Sequence, residues 1–320
     1  MIRVTLLAGG VGGAKMAEGF AALKDVDLTI IGNVADDQEF HGLWVSPDID
    51  TMLYTLSGRI NREQGWGLAD EGRRALEMLA DLGADTWMFL GDRDFGLHIY
   101  RAERLRRGDR PTRITADVAR RFGISALILL PTDDRVQTFV RTAVGWLTFQ
   151  EYFVRERCAP EVLELRYDGL DRAALTQEAR TAVVSADVVV IAPSNPLVSI
   201  TPILDIPGMR EALSEARAPI IGVSPLIAGK VVKGPADRML TALGHRADAA
   251  GVALIYKDLL DHFVVDRADA ALTSEITDQG VTPHLTDILM PDATAKARLA
   301  AEILSCVDLA RPGTAACRAR

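Results

Sequence analysis

The feature that most constrains this chain is its opening. An apolar, β-rich run, Ile2–Ala8, leads straight into Gly9, Gly10, Gly12 and Gly13, and a helical pattern follows from Ala14 to Leu23. A second β run, Leu28–Ile31, comes after a short polar link. Strand, glycine turn, helix and strand in this order begin a parallel α/β sheet. Such sheets are covered by helices on both faces, so buried strands read as short unbroken Val/Ile runs. Met88–Leu90, Ala126–Leu130, Val188–Ile191, Ile220–Val223, Ala253–Ile255 and Phe263–Val265 fit that description. Helical patterns lie among them at Gly72–Leu82, Met209–Ala216 and Thr294–Ser305.

Residues 51–159 read differently, with more helix signals, more arginine and short strands near Thr138–Leu147. They are expected to form a partly helical insertion beside a core made by about 1–50 and 160–306, and 307–320 a frayed tail. At roughly 150 residues per domain, 320 residues allow one large domain or two modest ones. No apolar stretch approaches the ~18 residues of a membrane span. The net charge of −8 and the lack of a Lys/Arg block argue against a nucleic-acid binder. Cys158, Cys306 and Cys317 are too scattered for a zinc cluster or a disulfide framework, which suits a reducing, cytoplasmic setting.

Six segments carry chemistry. Gly9-Gly10-Val11-Gly12-Gly13-Ala14-Lys15 offers a close backbone approach and a helix N-terminus to an anion. It matches neither a P-loop, which needs Gly-Lys-Ser/Thr, nor the dinucleotide fingerprint, which needs glycine where Lys15 stands. A strand–helix turn without ligand is the plain alternative. After the second strand, Asp36, Asp37 and Glu39 crowd three carboxylates into four positions, either as a solvated loop or around a cation. Ser46-Pro47-Asp48-Ile49-Asp50 starts a helix through Leu56; its acids either serve the helix dipole or join the earlier aspartates around Mg²⁺.

Gly91-Asp92-Arg93-Asp94 sets an arginine between two carboxylates, as an ion-pair hub or a phosphate clamp. His98, further along, reads as a packed core histidine ahead of a catalyst. Pro193-Ser194-Asn195-Pro196 ends a very apolar strand, where Ser and Asn either cap a turn or face a base or sugar. Ser224–Ala236 brings Lys230 and Lys233 into a loop that could serve a second phosphate. No Ser/His/Asp or Cys/His arrangement suggests covalent catalysis. The segments together point to a phosphate-handling site without a nucleophile of its own.

GGVGGAK, GNVADD, SPDIDTMLYTLSG, LGDRDFGLHIYR, LPTDDRVQT, FQEYFVRER, IAPSNPLVSITPIL and SPLIAGKVVKGPA occur in this order. The set closely resembles the 2-phospho-L-lactate transferase (CofD-like) family of coenzyme F-420 biosynthesis, from Met1 to about Cys306. The resemblance implies a Rossmann-like three-layer α/β sandwich with a mainly parallel sheet, and a cytoplasmic homodimer. It implies transfer of a phosphorylated three-carbon acid (2-phospholactate, phosphoenolpyruvate or 3-phosphoglycerate) from a guanosine-diphosphate-linked donor to the deazaflavin Fo. The terminal ribityl hydroxyl attacks the distal phosphorus, GMP leaves, and Mg²⁺ is required. The family's Fo-binding positions fall on Asp50 and Arg93, with His98 beside them as a further Fo-site candidate.

From the chemistry of phosphoryl transfer, positioning and charge neutralisation carry most of the work. Two roles stay open for Asp50: holding Mg²⁺ with Asp36 or Asp37, or orienting the Fo hydroxyl. Arg93 is expected to stabilise developing charge. Loop position assigns Gly10, Gly12, Gly13 and Lys15 to the donor phosphates, and Ser194 and Asn195 to the guanosine. The rival readings are a non-catalytic nucleotide-sugar-binding regulator of the gluconeogenesis-factor type and an NAD(P)-dependent oxidoreductase. The second lacks both a complete fingerprint and a hydride-transfer constellation.

Overall fold

The computed structural model describes residues 1–307. Its core is one seven-stranded sheet, all parallel. Strand β1 (Ile2–Ala8) is central and is flanked on one side by β2 (Val26–Gly32) and then by Leu127–Leu129. On its other side follow Val188–Ile191, Ile220–Val223, His262–Asp266 and the edge strand Thr282–Thr286. The chain thus builds outward in one direction, then crosses back to the far side of β1. The carboxyl ends of β1 and Val188–Ile191 diverge at that reversal, which is where open α/β sheets bind ligands. Val188–Ile191 and Ile220–Val223 are buried along their whole length, as expected of strands covered on both faces. Two apolar layers, one on each side of the sheet, supply most of the core.

Helix α1 (Gly10–Ala21) starts four residues earlier than the sequence pattern suggests, so the glycines form its first turn. Gly10 sits at φ +61°, a conformation that strains residues bearing a Cβ. Gly12 lies hard against the Pro193 carbonyl oxygen, so its lack of a side chain is a packing requirement. Helix α2 (Pro47–Leu56) opens with proline in its first turn and Asp48 and Asp50 near the positive end of its dipole. Helix α3 (Arg74–Asp81) covers a small apolar cluster of Phe40, Val45, Leu76, Leu90 and Phe95. Helix α4 (Asp92–Arg106) carries acids in its first turn and arginines in its last, matching the dipole at both ends.

The structure departs from the sequence reading in three places. Ala253–Ile255 is the end of a helix, Ala249–Ile255, whose start is capped by Asp248 accepting from the Gly251 N–H. A short apolar run cannot distinguish a buried helix from a strand, and the Asp248 cap was the signal that could have. Met88–Leu90 joins no sheet and instead lines a cavity. The 51–159 segment is not wholly an insertion, because Leu127–Leu129 pairs with β2 in the central sheet. Its hairpin, Gln137–Thr142 and Gly145–Thr148, also recruits Glu164–Asp168 from beyond it. The expected tail and Cys317 lie outside the described residues, apart from residue 307.

A Cβ at position 12 has no room unless the Pro193 backbone moves. Gly12→Ala is therefore expected to destabilise the fold by about 1–3 kcal/mol, the usual range for overpacking. A thermal melt with an unchanged midpoint would show that the α1 turn and residue 193 are not rigidly packed.

Candidate active site

A cavity of about 570 Å³ opens at the reversal point of the sheet. The glycine turn, Lys15 and Pro193–Asn195 contribute to its wall, as do Asp36, Asp48, Asp50, Asp94 and His98. Trp66, Phe89, Phe149 and Phe153 give it aromatic surface, and Lys233 adds a second ammonium.

The glycine turn is held from across the sheet. Ser194 Oγ accepts from the Gly9 N–H (3.2 Å) and donates to the Gly9 carbonyl (2.7 Å). Its hydroxyl is therefore spent on the loop. Asn195 caps the helical turn that follows, its Oδ1 accepting from the N–H groups of Leu197 (3.0 Å) and Val198 (3.4 Å). Both residues line the cavity, and both side chains shape it from within the protein. Gly10, Gly12 and Lys15 also line it, whereas Gly13 is buried behind the turn.

Two turns bring in the carboxylates. Asn33, fully buried, donates from Nδ2 to Asp48 Oδ2 (3.0 Å) and to the Val198 carbonyl (3.2 Å). Asp48 also takes a hydrogen bond from the Gly10 N–H, so it occupies part of the N-terminus of α1. Gln150 Nε2 pins the Asp36 carbonyl (3.2 Å), and Gln137 Nε2 pins that of Asp37 (2.8 Å). Asp37 turns away from the cavity lining: its Oδ2 accepts from Ser46 Oγ (2.7 Å) and Trp44 Nε1 (3.1 Å). One oxygen each of Asp36 and Asp37 is buried without a hydrogen-bond partner.

Burial raises the proton affinity of these groups, because a charged carboxylate loses its hydration. It pushes Asp36 well above the ordinary range, with Asp48 adding repulsion. It moves Asp37 to about 8 and Asp48 to about 6. Asp94 rises to about 6 by burial, against the hydrogen bond it accepts from Tyr54 Oη (2.6 Å). Lys15 is pushed down by burial and then by the neighbouring ammonium groups of Lys296 and Lys233.

Asp50 is engaged differently. The Arg101 guanidinium grips it on both oxygens, through Nη2 to Oδ1 and through Nη1 to Oδ2 at 3.1 Å. His98 Nδ1 is 3.8 Å from the same carboxylate. Arg93, expected at this position, is exposed: its Nη1 donates to the Ala69 carbonyl (3.2 Å), and it is not part of the cavity lining. The arginine three residues past His98 on α4 is the one that meets Asp50. Helical spacing from His98 was the available signal, since positions three apart share a face.

The proposed metal trio of Asp36, Asp37 and Asp50 is thus not brought together. Among the described residues, no group of three or more His, Cys, Asp and Glu side chains could by itself hold a metal ion. Asp36 and Asp48 remain facing the cavity as a mutually repelling pair. Two carboxylates are what Mg²⁺ commonly takes from protein when water and substrate phosphates complete its shell. The unpartnered Asp36 oxygen fits that role.

Fold and site together define an α/β protein with a glycine-, carboxylate- and lysine-lined cavity at the reversal point of a parallel sheet. The family model described as 2-phospho-L-lactate transferase CofD matches residues 4–303. A phosphoenolpyruvate transferase of Streptomyces griseus subsp. griseus is 40% identical over 317 residues, covering 97% of this chain and 100% of the relative. A 2-phospho-L-lactate transferase of Methanosarcina acetivorans is 38% identical over 300 residues, covering 93% and 97%. A solved Bacillus halodurans protein of the upf0052 family shares the fold, with a TM-score of 0.65 at 17% identity over 95% of this chain and 100% of that one. The chain belongs to the CofD family, transferases of coenzyme F-420 biosynthesis. No helix of the described residues is long and apolar enough to cross a membrane.

The raised carboxyls have a consequence for stability. Asp37 binds its proton up to about pH 8 when folded but only to 3.8 when unfolded. Its contribution is therefore whole below 3.8 and is lost as pH rises toward 8. Asp37→Asn keeps an acceptor for Ser46 and Trp44 and removes the titration. Denaturant melts from pH 5 to 8 are expected to show a shallower loss of stability, by up to ~1.4 kcal/mol per pH unit. A slope equal to that of the parent would mean that Asp37 ionises freely.

Proposed function

We propose that this cavity transfers a phosphorylated three-carbon acid from a guanosine-diphosphate-linked donor to the terminal ribityl hydroxyl of Fo, releasing GMP. The observation that carries this reading is one cavity uniting three kinds of surface: a glycine turn with Lys15 and Lys233, a carboxylate group, and aromatic side chains suited to a flat tricycle. The donors considered are the acids named for the relatives, phosphoenolpyruvate and 2-phospho-L-lactate, and also 3-phosphoglycerate.

In this mechanism the hydroxyl oxygen forms a bond to the distal phosphorus while the bond from that phosphorus to the GMP oxygen breaks. GMP departs with the electron pair. Asp50 accepts a hydrogen bond from the attacking hydroxyl, aims it in line and takes its proton as the new oxygen–phosphorus bond forms. Lys15 and Lys233 face the diphosphate. Two ammonium groups share the lining with Asp36, Asp48, Asp50 and Asp94, and Asp50 is already matched by the Arg101 guanidinium. Asp36 and Asp48 would hold Mg²⁺, which supplies neutralisation of that diphosphate when bound. Gly10 and Gly12 let the backbone approach it, and Ser194 and Asn195 act through the loop shape they fix. Arg93 stands beside Asp94 and serves Fo from outside the cavity lining. The working unit is proposed as a cytoplasmic homodimer.

The test is mass spectrometry of the product from Fo, each guanylylated acid and Mg²⁺, with GMP followed in parallel. A phospho-acid adduct of Fo is expected with one preferred donor, and chelation by EDTA is expected to abolish it. Asp50→Asn is expected to lower kcat by ~10²-fold or more, as for loss of other key polar groups at a reacting centre. Arg93→Ala is expected to raise the KM for Fo and leave kcat within about tenfold, because a peripheral binding group acts mainly on KM. Full turnover by Asp50→Asn, or no adduct with any donor, would refute the assignment.

A further inference from the structure

Resting on the transferase reading, a second arginine enters the chemistry through the residues it holds. His98 and Arg101 lie one helical turn apart on α4, and Asp50 meets them from the first turns of α2. All three are at least nine-tenths buried, and Asp50 and His98 line the cavity. Arg101 Nη1 faces three acceptors: Asp50 Oδ2 at 3.1 Å, the Trp44 carbonyl at 3.2 Å and His98 Nδ1 at 3.3 Å.

A guanidinium has only donors and keeps its proton in proteins. Whatever faces it across a hydrogen bond must offer a lone pair. Nη1 shares two hydrogens among these three acceptors, and its contact with His98 is a hydrogen bond when Nδ1 is the bare nitrogen and the ring proton sits on Nε2, the tautomer the geometry points to. A proton on Nδ1 would set two positive N–H groups against each other away from water. The same guanidinium meets both oxygens of Asp50, a fork-to-fork contact that fixes the plane of the carboxylate. Oδ2 also accepts from the Ser46 N–H (3.3 Å), so Oδ1 is the oxygen that keeps acceptor capacity, a carboxylate offering about four lone-pair positions in all. One cation thus sets two neighbouring groups at once, an acceptor and a neutral donor.

We propose that Arg101 is a positioning residue for the transfer: by bridging Asp50 and His98 Nδ1, it presents a carboxylate acceptor and an Nε2–H donor as a matched pair to one substrate hydroxyl. A hydroxyl is the group that both donates and accepts. In this arrangement His98 does not take the hydroxyl proton, since its only lone pair already faces Arg101. Lysine cannot replace arginine here, because a single ammonium does not reproduce the planar fork.

The protein without substrate gives the first measurement. The ¹⁵N NMR signals of the His98 ring at neutral pH, assigned by their loss in His98→Gln, are expected to show the Nε2–H tautomer. An Nδ1–H ring in the parent protein would overturn the proposal without any Arg101 variant. In Arg101→Lys the ring is expected to become a tautomer mixture. There kcat is expected to fall by ~10- to 100-fold while the KM for the guanylylated donor stays within about twofold, the pattern of a lost transition-state contact. A folded Arg101→Lys protein with parental kcat would also overturn it. An Nε2–H ring in a protein that yields no Fo adduct with any donor would instead sink the transferase reading and, with it, the hydroxyl pairing.

Discussion

The constraint on which this site depends is the burial of five aspartates, 36, 37, 48, 50 and 94, around one edge of a parallel sheet. Removing a carboxylate from water is costly unless something replaces its hydration. Four of the five are answered by different devices. Asp50 has a guanidinium, Asp37 a serine hydroxyl and an indole N–H, Asp48 an asparagine amide, and Asp94 a tyrosine hydroxyl. Asp36 is left most exposed to its neighbours' charge, with an oxygen that nothing satisfies. The cost of burying these carboxylates is thus concentrated on Asp36, the one of the five that faces the cavity with an unsatisfied oxygen.

The sheet order turns that local chemistry into a cavity. Because the chain reverses direction beside β1, the loops after β1 and Val188–Ile191 leave the sheet on opposite sides. The Ser194–Gly9 clamp then ties them across the gap. Asn33 does similar work at the end of β2, reaching both Asp48 and the Val198 carbonyl. Three neighbouring strands are therefore laced together by side chains at the points where the backbone ladder ends. Such lacing suits a transferase, whose chemistry rewards prearranged geometry.

Much of this was legible in the sequence. The glycine turn, the unbroken Val/Ile runs and the acidic loops after strands are local patterns, and the strands Ile2–Ala8, Val188–Ile191 and Ile220–Val223 lie where those patterns put them. Met88–Leu90 and Ala253–Ile255 differ from the strand expectation because three apolar residues look alike in a strand, a helix end and a cavity wall. Arg93 and Arg101 lie on one helix, eight residues apart. Only the three-residue spacing of Arg101 from the buried His98 hints that it is the one that turns inward.

The class of fold and the chemical inventory follow from chain order alone, because hydrophobic period, glycine placement and strand-end loops act over a few residues. Only the tertiary structure decided which charges meet. The pairing of Asp50 with Arg101, the withdrawal of Asp37 and the use of Ser194 and Asn195 as internal braces depend on how helices from distant parts of the chain pack on the sheet. That packing is a balance of burial and desolvation summed over the whole core, and no short stretch of residues encodes it.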